Sequence, residues 1–276
     1  MYFTVVRTPS KLQSLLLARG VFETTVGSYL TIVAGDVRDQ TAVEKALLSP
    51  EIRSAINNNS SLNSDSPPPR SVVDIIISSI GGKPQLTLLN PLKPVTLDNP
   101  TICTDGTRTI LAALSALQHG GQNSLLTQKP LFLAISTTGI SGTRRDVPLA
   151  FLPLYRWLLA APHADKAEME SLLVDTVLHG HNSSIRGAVV VRPSLLLDGT
   201  AKGLKSTRVG WEYSRLDATE LREPGNEHGK NGREEALGPA VGYTITREDV
   251  GAWIYEKIVN SAERDSWMGK SVTLTE

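Results

Sequence analysis

Residues 129–139 read KPLFLAISTTG. Leu131, Phe132, Leu133, Ala134 and Ile135 form an apolar run with no polar alternation, which suits a strand covered on both faces, as in a parallel sheet flanked by helices. The run stops at Ser136-Thr137-Thr138-Gly139. Three hydroxyls and a glycine are poor core material, and open α/β sheets bind ligands just beyond the carboxyl ends of their strands. The stretch is either a central strand delivering a polar tip into a site or a strand ending in an ordinary turn, since Ser, Thr and Gly also favour turns.

The flanking sequence extends the pattern in both directions. Tyr2–Val6 (YFTVV), Leu30–Ala34 (LTIVA), Val72–Ile77 (VVDIII), Ala188–Val191, Tyr243–Ile245 and Ser271–Leu274 read as further strands. Helical patterns cover Lys11 to Arg19, Thr41 to Leu48 and Thr101 to Leu117. Another helix opens at Pro162-His163-Ala164-Asp165, with His163 or Asp165 near its cap, and runs to about Val177. A last one runs from Thr246 through Ile258, with Thr246 and Asp249 in a capping-box variant. Strand and helix alternate, which predicts βαβ units and a mostly parallel sheet within a single α/β domain over residues 1–276. Two stretches stand apart. Residues 54–70 are low in complexity and cannot bury enough apolar surface to order themselves. Residues 198–240 are rich in glycine and charge and read as a surface excursion.

Composition narrows the class. A chain of 276 residues can bury a substantial core. Lys plus Arg number 28 against 28 for Asp plus Glu, so overall charge makes no case for nucleic acid or an anionic membrane as partner. Cys103 is the single cysteine, which permits no internal disulfide and suits a reducing, cytoplasmic setting. The apolar runs are far short of a membrane span of ~20 residues, and MYFTVVRTPSK lacks the pattern of a secretory signal. The five histidines show no metal-ligand spacing, and there is no GxSxG elbow and no phosphate-binding P-loop motif.

The segments VVRTPSKL, LTIVAGDVRD, DIIISSIGG, LFLAISTTG, PHADKAEME, VVVRPSLL and YTITREDVGAWI follow one another in this order. As an ordered set they resemble the NAD(P)-binding, NmrA-like branch of the atypical short-chain dehydrogenase/reductase superfamily. The resemblance covers nearly the whole chain and implies a Rossmann-like, doubly wound sheet with a small substrate-side region at residues 195–245. One family feature is absent. Such proteins begin with a strand and a G-x-x-G-x-x-G turn that holds the cofactor pyrophosphate, but Met1 stands at what looks like the family's second strand and no such pattern precedes Arg7. The first strand of a doubly wound sheet is central, so its loss predicts one of three outcomes. The sequence is part of a longer product, or the sheet closes up, or another segment fills the place. Cofactor affinity is expected to suffer in each case.

The resemblance assigns roles residue by residue. Arg7, with Lys11 behind it, would read an adenosine 2′-phosphate, which favours NADP over NAD. Asp36 would accept from the adenine amino group and Val37 would pack on the ring; alternatively Asp36 makes an Asx turn or caps the 41–48 helix, and both roles can coexist. Ser79, Ile80 and Gly81 would let the cofactor backbone pass, unless they are a plain strand-ending turn. Ser136 and Thr137 would reach the substrate or ribose, and Pro193 would follow the strand that shields the nicotinamide. The short-chain Tyr-x-x-x-Lys pair is missing, because Tyr155 is followed by Leu159 at the lysine position; Tyr155 reads as a packing aromatic. Lys166 takes the lysine's place in the resemblance, and with Ser136 it is the catalytic candidate. Its plain alternative is an exposed helix lysine paired with Glu170. Two functions follow: an NADP(H)-dependent oxidoreductase acting on a small organic molecule, or a non-catalytic dinucleotide sensor or scaffold with a degenerate site.

Overall fold

The computed structural model describes residues 1–48, 73–86, 95–119, 128–142, 144–178, 183–214 and 237–276. The low-complexity segment at 54–70 and His179, His181 and His228 lie outside these residues. The chain forms two compact units, Met1–Asp74 with Asp105–Pro130, and Ile75–Thr104 with Leu131–Glu276.

In the first unit β1 (Tyr2–Val6) pairs in parallel with β2 (Leu30–Ala34), Tyr2 opposite Leu30 and Val6 opposite Ala34. Helices α1 (Pro9–Ala18) and α2 (Glu23–Tyr29) link them. Pro9 stands in the first turn of α1, where a missing N–H costs nothing. After β2 comes α3 (Gln40–Leu47), capped by the Asp39 carboxylate, which accepts from the backbone N–H of Thr41 and Ala42. The β2–α3 turn is tight: a Cβ on Gly35 would lie 2.5 Å from the Ala42 Cβ, so glycine is required there. One core cluster of this unit joins Val33, Ala42 and Ala46, packed by Val5.

The second unit holds a five-stranded sheet in the order β3 (Ile75–Ser78), β6 (Leu131–Ile135), β7 (Gly187–Pro193), β11 (Lys270–Thr275), β9 (Arg208–Tyr213). All neighbours are parallel except β9, which runs antiparallel to β11. Phe132 lies opposite Ile76 on one side and Ala188 on the other. Leu131 to Ala134 are fully buried, which is why this strand reads as an unbroken apolar run. Against the sheet pack Trp253 and Ile254 of α6 (Arg247–Ile254) and Ile258 of the π turn that follows it at Tyr255–Val259. Thr246 caps α6 by accepting from the Asp249 N–H, as its sequence predicts.

Several elements differ from expectation. The strand at 188–191 is longer and runs through Arg192 to Pro193, which is tolerated as a terminal strand residue and lies opposite Leu274. Residues 208–213 are not surface excursion but the β9 strand, with Trp211 buried. Beside them β8 (Leu195–Leu197) pairs in parallel with β10 (Thr244–Thr246). The proline-rich stretch before Pro100 contains a small antiparallel pair, β4 (Pro84–Leu86) and β5 (Val95–Leu97). Helix α4 (Ile102–His119) follows them, and α5 (Ala160–Leu178) begins two residues before Pro162. Asp165 therefore caps not its own helix but the start of α4. Its carboxylate accepts from the N–H of Cys103 at 2.9 Å, the N–H of Thr104 at 3.0 Å and the Thr104 hydroxyl at 2.8 Å.

Candidate active site

The strand ends of the second unit meet at Lys166. The α5 helix carries this side chain to the carboxyl ends of β3 and β6, where Nζ donates to the Ile80 carbonyl at 2.8 Å and the Ile135 carbonyl at 2.5 Å. Two of its three N–H donors are thus engaged on backbone, and the third is left for the Cys103 thiol or a ligand. The exposed-lysine alternative fails, since Glu170 is committed to Arg192 through Nε at 3.1 Å and Nη2 at 2.6 Å. One residue past β6, the Ser136 Oγ is buried with no hydrogen-bond partner among the described residues, and so is Ser78 Oγ at the end of β3. Buried hydroxyls are seldom left unpaired without a reason. Thr137 is half-buried, Ser79 exposed and Pro193 buried. Gly81 is exposed, and a Cβ there would meet nothing within 4 Å.

The remaining expected residues belong to the first unit. Arg7 and Lys11 are exposed past the end of β1, and Val37 is half-buried past β2. Asp36 accepts from Arg38 through its backbone N–H at 3.0 Å, Nε at 2.9 Å and Nη2 at 3.0 Å. The Arg38 side chain first, and then its backbone, hold the Asp36 carboxyl at about 2. The Asx-turn alternative for Asp36 is therefore seen, while the helix cap belongs to Asp39.

A cavity of about 520 Å³ opens along the loop that follows β6. Gly139, Ser141, Arg144, Arg145, Tyr155 and His163 line it, with Asp146 beneath the loop. Gly139 has φ +90, and a Cβ there would strike the Tyr155 ring at 2.5 Å, so glycine is needed for both backbone and space. The Asp146 carboxylate accepts from the Gly139 N–H at 2.8 Å and the Ser141 N–H at 3.4 Å, and burial pushes its pKa up. Tyr155 does pack, against Phe151 and, with ring centres 5.2 Å apart, against His163. It also has a polar end, 3.4 Å from the Thr138 hydroxyl. Sequence reasoning missed this cavity because no motif spacing joins a glycine turn to a distant π-helical turn; the left-handed Gly139 was its one local sign.

Burial lowers the His163 pKa to about 4, which sets a pH dependence. As pH falls, the unfolded chain protonates this histidine near its ordinary 6.5 while the folded chain resists. Stability is therefore complete above about 6.5 and is lost progressively toward 4, by on the order of 2–3 kcal/mol. His163→Phe is expected to lose less than wild type in urea midpoint over this window. Asp146 shifts the opposite way, but it is common to both proteins and cancels in the difference. Parallel acid limbs would show that His163 is not buried as described.

Reductase pytE of Aspergillus terreus is 40% identical to this chain over 275 residues, spanning 98% of this chain and 87% of that protein. Oxidase pynE of Aspergillus niger is 32% identical over 282 residues, spanning 98% and 88%. The chain belongs to their family of oxidoreductases. No family model matches it. Among solved structures, ChuY, an anaerobillin reductase from Escherichia coli O157:H7, aligns over 99% of this chain and 84% of its own at a TM-score of 0.50 and 15% identity, a likeness of fold. The Rossmann-type, mostly parallel α/β architecture agrees with the sequence-based expectation. The expected NAD(P)-dependent oxidoreductase function accords with this membership, which does not favour the scaffold alternative. Among the described residues no helix is long and apolar enough to cross a membrane, and no group of three or more His, Cys, Asp or Glu could hold a metal ion.

Proposed function

We propose that this family member is an NADP(H)-dependent oxidoreductase of the NmrA-like, atypical short-chain type, acting on a small organic carbonyl or conjugated alkene. The observation that carries the reading is the buried, unpartnered Ser136 hydroxyl at the end of β6, next to the Ile135 carbonyl held by Lys166. The residues fit a nicotinamide dinucleotide: an orphaned hydroxyl awaits a polar partner, and the space beside Gly81 is open. Once bound, that cofactor supplies or accepts the hydride. In the second unit Ser136 and Thr137 present hydroxyls to ribose or substrate, Lys166 fixes the strand-end carbonyls and orients the ribose, Ser79, Ile80 and Gly81 make room for the cofactor backbone, and Pro193 limits the nicotinamide side. In the first unit Arg7 and Lys11 favour a 2′-phosphate, and Asp36 and Val37 suit the adenine. The Arg7 side chain has no hydrogen bond among the described residues, and its charge acts on the Asp36 carboxylate.

Calorimetric titration tests this reading. NADPH is expected to bind about tenfold more tightly than NADH, a difference of about 1.4 kcal/mol. Arg7→Ala should remove that preference and leave NADH unchanged. A chain preceded by a glycine-rich βα unit should bind both more tightly. Failure of every form to bind either nucleotide overturns the proposal. The non-catalytic alternative draws on Leu159 at the lysine position, and any NADPH-dependent turnover eliminates it.

A further inference from the structure

We propose that the cavity following β6 selects substrates joining a planar unsaturated system to a carboxylate, with Arg144 and Arg145 receiving the anion and the Tyr155–His163 wall receiving the plane. The inference rests on the oxidoreductase reading and names the substrate class for it. The cavity lies along the loop that continues β6, so it begins three residues beyond the orphaned Ser136 hydroxyl. Its volume of about 520 Å³ suits a molecule of modest size.

The walls divide by chemistry. One is flat and largely apolar. Tyr155 is buried between Phe151 and His163, and Val147 and Leu152 extend the surface. His163 stays neutral at ordinary pH, so this wall carries no charge of its own. Offset aromatic contact with such a wall favours a planar guest over a bulky aliphatic one. The other side is cationic. Arg144 and Arg145 are exposed, and neither has an ion pair among the described residues. Asp146 also lines the cavity, and its Oδ2 accepts from the N–H groups of Gly139 and Ser141. The two guanidiniums therefore outnumber the one carboxylate that lines the cavity.

Arg144 is also seated rather than loose. The backbone N–H of Arg144 donates to the Ser141 hydroxyl, which in turn donates to Glu212 Oε2 at 3.0 Å. The Arg144 side chain lies against Gly238, where an added Cβ would come within 2.7 Å of Nη1. A guanidinium held in this way offers a planar fork that matches a carboxylate bidentately, which a freely solvated surface charge does not.

The test uses cinnamate and its neutral counterpart cinnamamide, titrated calorimetrically onto the full chain at low and moderate salt. Cinnamate is expected to bind about tenfold more tightly than the amide, with the gap narrowing as salt rises. Arg144→Gln/Arg145→Gln should abolish the gap and leave cinnamamide unchanged. Arg145→Gln alone, at an exposed position, should lose at least about threefold for cinnamate only. Tyr155→Phe should leave the gap intact. Equal binding of acid and amide, no binding of cinnamate, or a gap that survives in the double variant overturns the proposal. NADPH titrated on the same samples separates the two readings. Loss of NADPH binding with the gap intact counts against the cofactor assignment alone, and NADPH binding without a gap counts against the substrate class alone.

Discussion

Arg192→Met is expected to destabilise the protein by about 3–5 kcal/mol, the largest effect of any single substitution considered for this chain. Arg192 is buried near the end of β7 between two buried carboxylates, Glu170 on α5 and Glu212 on β9. Burial by itself opposes the charge, but the hydrogen bonds and charges of Glu170 and Glu212 outweigh it and hold the guanidinium above its ordinary pKa. Methionine matches much of the volume but takes the guanidinium away from both buried carboxylates. The urea midpoint should fall accordingly, with an unchanged slope. The triple variant Arg192→Met/Glu170→Gln/Glu212→Gln should recover most of the loss, because the cost lies in the stranded charges rather than in the missing arginine. A single variant within about 0.5 kcal/mol of wild type would mean that the triad is not buried as described.

The second large effect concerns ligand binding, and it separates two neighbouring residues. Ser136→Ala removes a buried hydroxyl that has no partner among the described residues. Without cofactor it should be neutral or stabilising by up to about 1 kcal/mol, since an orphaned polar group is a cost. With NADPH it should lose about tenfold in affinity, because the hydroxyl's proposed partner is the ligand. Lys166→Met should behave differently. It strips the donor from the Ile80 and Ile135 carbonyls and should cost about 2 kcal/mol even without ligand, as well as weakening NADPH. Calorimetry and thermal unfolding on the same samples read both quantities. A Ser136→Ala protein with wild-type NADPH affinity removes Ser136 from the proposed site.

These residues also show what a sequence can and cannot reveal. Leu131–Ile135 is read to the residue because both faces of β6 are covered, and its local pattern states as much. β9 is hidden for the opposite reason. Arg208, Gly210 and Glu212 look like surface, yet Glu212 is buried because Arg192, twenty positions earlier, neutralises it. The early start of α5 is missed because Pro162 reads as a first helical residue, although a proline anywhere in the first turn forfeits only an N–H that has no helical partner. Asp165 carries the signature of a cap, and it is a cap, but for a helix some sixty residues earlier in the chain. Lys166 is named by resemblance alone, whereas Ser136 also belongs to the polar strand tip that the pattern itself marks. The inward strap of the one and the missing partner of the other are properties of strand ends brought together, and no spacing encodes them.

The place of β11 has a consequence for how the protein acquires its fold. This strand lies between β7 and β9, yet it follows β7 by about eighty positions and β9 by about sixty. Apart from one bridge from Trp211 to Gly238, β9 has no ladder among the described residues until β11 arrives. Closing such long loops must precede the contacts that reward it, which slows assembly. In the interval an unpaired strand bearing Trp211 stays open to other chains, so β11 also covers one edge of it against misassembly.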